Sequence, residues 1–80
     1  MTINYTPRGV YSRNISFELE NRIISNVKFT GGCHGNLQGI SKLVEGMPAE
    51  EVIKRLENIN CNGKGTSCPD QLARAIKTNL

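Results

Sequence analysis

The residues of this 80-residue chain best suited to chemistry are its three cysteines, Cys33, Cys61 and Cys68, because thiolates are nucleophiles, redox centres and soft metal ligands. The one histidine, His34, follows Cys33 directly, and Asp70 stands two residues after Cys68. The stretch GTSCPDQL sets Cys68 against Pro69 at what reads as the opening of a helix, with Pro69 at the first helical position and Cys68 at the N-cap. Unpaired amides and the positive end of the helix dipole favour a thiolate there. Cys33 holds a related place in GGCHGN, where Gly31, Gly32 and Gly35 let the chain bend so that amide hydrogens face a common point at the start of an earlier helix. Cys61 and Cys68 bracket the Gly-rich loop CNGKGTSC, which lets both sulfurs turn toward one centre. Their spacing is wider than the roughly two to four intervening residues of zinc-ligand pairs, so this is not a zinc-finger signature. His34 and Asp70 are the candidates for a fourth ligand. The blander alternative gives the cysteines a packing role, His34 a surface or cap role, and Asp70 an interaction with the first-turn amides of its helix.

Other chemistries fit less well. GKGTS at Gly63 to Ser67 resembles the end of a phosphate-binding loop, but that motif needs glycine where Asn58 stands and an apolar strand before it. A cysteine protease needs a base separate from its nucleophile, and His34 adjoins Cys33. The ten basic and seven acidic residues are interleaved rather than gathered into a basic stripe, so nucleic acid is not an expected partner. No apolar run approaches the roughly 18 residues of a membrane span, and MTINYTPRGVYSRN lacks the apolar stretch of a secretory signal. A cytoplasmic, reducing setting follows as the expectation, and an odd number of cysteines argues against a disulfide framework.

The elements that must position these residues follow from the hydrophobic pattern. A chain this short makes one small domain over 1–80, burying about 60% of its unfolded surface, with residues 1–14 as an arm or irregular start. Ile15, Phe17 and Leu19 alternate with polar residues, and the β-branched run from Ile23 to Phe29 places Ile23, Val27 and Phe29 on one face, so the two runs form an antiparallel hairpin. Leu37, Ile40, Leu43 and Val44 recur at helical spacing up to Gly46. A second helix starts with Pro48 at its first position and carries Val52, Ile53 and Leu56 inward. A third opens at Pro69 with Leu72, Ala73, Ala75, Ile76 and Leu80 inward. The fold class is α+β: an N-terminal antiparallel hairpin or small sheet, then three helices packed on one face.

Taken together, GGCHGNLQGISKLVEG and GTSCPDQLA resemble the TSCPD domain family, named for the residues Thr66 to Asp70, and the resemblance runs from about Thr6 to the C-terminus. The family comprises short stand-alone bacterial proteins and a C-terminal appendage of ribonucleotide reductases. The resemblance implies an accessory domain that presents a cysteine cluster for zinc or for thiol exchange, with a reductase or a redox system as protein partner. It also implies a thiol in relatives at the position of Tyr11, where this chain reads Gly9-Val10-Tyr11, leaving three sulfurs for a tetrahedral ion. The order of elements is similar, more loosely, to iron-sulfur scaffolds of the NifU and IscU kind, with Cys33 matching the scaffold's middle cysteine and Cys68 its last. An iron-sulfur carrier, and a metal-free interaction module, are therefore the competing readings. Nucleotide reduction by the chain alone is excluded, since a reductase needs a radical-bearing barrel of several hundred residues.

Overall fold

In the computed structural model, every residue is described except Cys33, Asn62 and Lys64, together with the side chain of His34. The chain runs β1 (Thr2–Tyr5), β2 (Ser12–Glu20), β3 (Ile23–Gly31), α1 (His34–Leu43), β4 (Met47–Pro48), α2 (Ala49–Leu56) and α3 (Cys68–Thr78). The four strands form one antiparallel sheet in sequence order. This is the expected α+β arrangement, with the sheet at the N-terminal side and three helices after it.

The start of the chain is more regular than its composition suggests. Instead of an arm reaching to Asn14, Thr2–Tyr5 pairs with β2, setting Ile3 opposite Phe17 and Tyr5 opposite Ile15. Four residues are too few to announce a strand on their own. They are ordered by a neighbour they can zip onto, and Ile3 is buried as a result.

Two register shifts decide which side chains face the core. Between Ser16 and Glu18 the partner strand spends an extra residue, and Asn26 lies there at φ +51°. That bulge breaks the period of two, so Ile24 is buried beside Val27 while Ile23, the expected inward residue, is exposed. The amide of Asn26, released from the ladder, donates to the Glu45 carboxylate at 2.9 Å. The second shift falls between Ser12 and Asn14 and turns the Ser12 side chain into the interior, where it is buried.

Ile3, Ile15, Phe17, Leu19, Ile24 and Val27 from the sheet meet Val44, Ala49, Val52, Leu72, Ala75 and Ile76 in a single apolar cluster. Fully burying one such Ile, Leu or Phe contributes roughly 1.5–3 kcal/mol. Leu37 in α1 and Val44 just past its end are buried, whereas Leu43 is exposed. Seven residues bring Val44 back over Leu37, and Leu43 is left about 100° off that line. Pro48 is the N-cap of α2 rather than its first residue, and it doubles as part of β4, pairing with Ile23. Leu80 lies past the end of α3 and is exposed. No helix among the described residues is long and apolar enough to cross a membrane.

Candidate functional site

The start of α3 is organised by Ser67, not Cys68. Ser67 is extended (φ −152°, ψ 169°), and its hydroxyl accepts the amide hydrogen of Asp70, so Ser67 is the N-cap. Cys68 therefore moves to the first helical position and Pro69 to the second, where the missing N–H still costs no intrahelical bond. The expectation of a capping cysteine fails because a serine one residue earlier offers a better acceptor for the same orphan amide.

The other residues of the TSCPD stretch make a buried network. Thr66 donates from its hydroxyl to Asp70 Oδ2 at 2.5 Å and accepts from Gln71 Nε2 at 2.9 Å. Asp70 Oδ1 accepts the backbone amide of Asn58 at 2.6 Å, and Arg74 Nε lies 3.0 Å from Oδ2. Asn58 sits at φ +65°, the turn that lets its amide point at the carboxylate. Burial is the largest single influence on Asp70 and pushes its pKa up. The Thr66 hydroxyl, the Asn58 amide and the Arg74 guanidinium together outweigh it, so the carboxyl ends below its ordinary value. The carboxylate thus grips a neighbouring loop rather than the first-turn amides of its own helix. Gln71 extends the network to the N-terminal segment, accepting at Oε1 from the Arg8 amide at 3.0 Å and the Tyr5 hydroxyl at 3.4 Å.

Cys68 is half-buried, and its Sγ lies 3.0 Å from Ser12 Oγ. Ser12 Oγ is also 3.3 Å from the Gly31 carbonyl, to which it donates. The turn at Gly31 and Gly32 (both φ +84°) packs tightly on this serine. A Cβ on Gly32 would stand 2.8 Å from Ser12 Oγ and 2.9 Å from Leu37 Cδ1, so only glycine fits. Tyr11 is at the same place through its backbone, with its carbonyl 3.1 Å from where a Gly31 Cβ would be, while its side chain is largely exposed. Gly35, by contrast, has open space where a Cβ would go. An open groove between β3 and α1, lined in part by Phe29, Leu37 and Gln38, ends at the Gly31–Gly32 turn.

Cys61 is exposed and anchored through its backbone, donating its amide to the Thr66 carbonyl at 3.0 Å. Gly63 and Gly65, at φ +75° and +79°, supply the left-handed conformations that fold this loop back on itself. Neither Cys61 nor Cys68 is in a disulfide. Among the described residues, no three His, Cys, Asp or Glu side chains are grouped as a metal ion would require. Cys33 and the His34 side chain, two of the predicted ligands, lie outside the described residues.

Sequence reasoning missed Ser12, Asn58, Thr66 and Gln71. The Ser67-to-Asp70 spacing was a visible capping signal, since Ser followed three residues later by an acidic residue marks a helix start. Ser12 offered none, because its burial depends on a bulge.

These features define a small α+β domain in which a cysteine in the first turn of the last helix is held against the first long strand by a buried serine. The sequence model of the TSCPD domain matches residues 1–80, the whole chain, and the chain belongs to that family. No curated protein and no solved structure gave a significant match.

Proposed function

We propose that this chain is a small accessory domain of the kind appended to ribonucleotide reductases, acting through a protein partner, and that it presents Cys68, Cys61 and Cys33 as thiolate ligands for a zinc ion. The observation that carries the reading is the Ser12 hydroxyl. It touches the Cys68 sulfur on one side and the Gly31 carbonyl on the other, so α3 and the Gly31–Gly32 turn that leads to Cys33 share one anchor. Cys61 belongs to the same end of the molecule through its bond to Thr66, two residues before Cys68. The donor set suits zinc, which takes thiolates readily and is held by four ligands in structural sites. Asp70 is committed to Asn58, Thr66 and Arg74, which supports a structural role for it and leaves the fourth position to His34 or water.

Anaerobic purification followed by elemental analysis tests this reading. Near-stoichiometric zinc that resists mild chelation, and is lost in Cys68→Ser, is the expected result. Labile iron with sulfide would favour a cluster carrier instead. Metal-free protein whose melting is indifferent to added zinc would end both readings, because an ion bound only by the native state must raise apparent stability.

A further inference from the structure

Ser12 is almost fully buried, yet it has one hydroxyl proton and two acceptors within reach, the Gly31 carbonyl at 3.3 Å and the Cys68 sulfur at 3.0 Å. While Cys68 is a thiol the account closes: S–H donates to Ser12 Oγ, and the Ser12 O–H donates to Gly31. Once the sulfur binds a metal through a lone pair and its proton is released to solvent, it has only lone pairs to offer Ser12 Oγ at 3.0 Å. The contact then survives only if the serine turns its proton to the sulfur, where a charge-assisted bond is the stronger one. Gly31 is left without that donor.

We propose that Ser12 is the positioning residue of this site, its single hydroxyl proton passing from the Gly31 carbonyl to the Cys68 sulfur when the sulfur binds a metal, so that ligation at α3 withdraws a hydrogen bond from the turn preceding Cys33. This rests on the reading of Cys68 as a ligand, and it adds a direction of coupling. What binds at one helix start alters the backbone at the other. The close fit of Gly32 on Ser12, where an added Cβ would stand 2.8 Å from the hydroxyl oxygen, makes the turn sensitive to where that hydroxyl points.

The test follows the Gly31 carbonyl by carbon-13 NMR in the Cys33→Ser, Cys61→Ser background, using methylmercury, which ligates a lone thiolate and needs no shared site. Loading Cys68 should move the Gly31 carbonyl resonance toward that of a carbonyl without a hydrogen bond. In the same background Ser12→Ala should show that displaced position before loading and little change after it. A Gly31 resonance that ignores methylmercury, or that moves equally with and without the serine hydroxyl, overturns the proposal.

A second arm uses zinc on the chain with all three cysteines. Ser12→Ala should weaken zinc about 10-fold to 100-fold in a chelator competition, the usual consequence of removing an outer partner of a ligand. Ser12→Thr, which keeps the hydroxyl and suits a strand, should restore most of the loss. Equal weakening by both variants would assign Ser12 to packing alone. Wild-type protein that fails to bind zinc ends the metal reading of the previous section, while the methylmercury experiment still decides the role of Ser12.

Discussion

Asp70 shows what a single residue can do here. Its carboxylate is 1% exposed and receives the Asn58 amide, the Thr66 hydroxyl and the Arg74 guanidinium, so it joins a loop to a helix from inside the protein. Replacing it with Asn turns one acceptor into an NH₂ that faces donors, and the variant should lose roughly 1–3 kcal/mol at neutral pH, the scale of leaving a buried hydrogen-bonding group unpaired. Because the folded-state pKa of Asp70 is depressed, its stabilisation is present above the unfolded value of about 3.9 and is lost as pH falls through the folded value. Urea unfolding of wild type and Asp70→Asn should therefore diverge at pH 7 and converge at the acid end, and a constant gap at every pH would contradict the assignment. Tyr11 supplies a second test at this scale. Its backbone borders the Gly31 turn, and zinc sites are built from thiolates, imidazoles and carboxylates rather than phenols. Tyr11→Cys should tighten zinc in a competition titration by completing four thiolates, and an unchanged affinity would place position 11 outside the site.

At the scale of elements, glycines separate those that the fold needs from those it merely tolerates. Gly39 lies within α1 with open space around it, so Gly39→Ala should stabilise the protein by about 1 kcal/mol through helix propensity and a less flexible unfolded chain. Gly32→Ala should do the reverse and lower the urea midpoint, since its Cβ would collide with Ser12 and Leu37. The same contrast explains what could be read in advance. The hairpin, three helices and most of their inward residues followed from periodicity, because Ile15, Phe17, Val52 and Leu72 sit on runs that obey one period throughout. Ile23, Leu43 and Ser12 did not follow. Ile23 is separated from Val27 by the bulge at Asn26, Ser12 lies at the other register shift, and Leu43 sits on a helix whose stripe is set by the sheet it covers. In the candidate site the cysteines were visible as residue types. Their partners were not, since Ser12 and Cys68 are 56 residues apart in sequence and meet only through the fold.

Over the whole molecule, Gln71 fastens the first segment of the chain to the last helix. It accepts from Arg8 and Tyr5, and it donates to the Thr66 hydroxyl that also serves Asp70. β1 pairs only with β2, and besides the buried Ile3 it is this side chain that ties the N-terminal strand to the layer of helices. Gln71→Ala leaves the Arg8 amide without its partner and should cost roughly 1–3 kcal/mol at any pH. Gln71→Glu keeps the acceptor oxygen for Arg8 but removes the donor to Thr66 and adds a second buried carboxylate beside Asp70. Two such charges repel at pH 7, so the glutamate variant should be the less stable of the two there. Near pH 4 the new carboxyl takes up a proton, can donate as well as accept, and should regain stability that the alanine variant does not. Urea melts of both variants at the two pH values measure this, and the midpoints should shift with little change in slope if the N-terminal strand unfolds together with the rest. Variants that rank the same way at both pH values, with the same gap, would mean that Gln71 does not join the ends of the chain through the Thr66 hydroxyl.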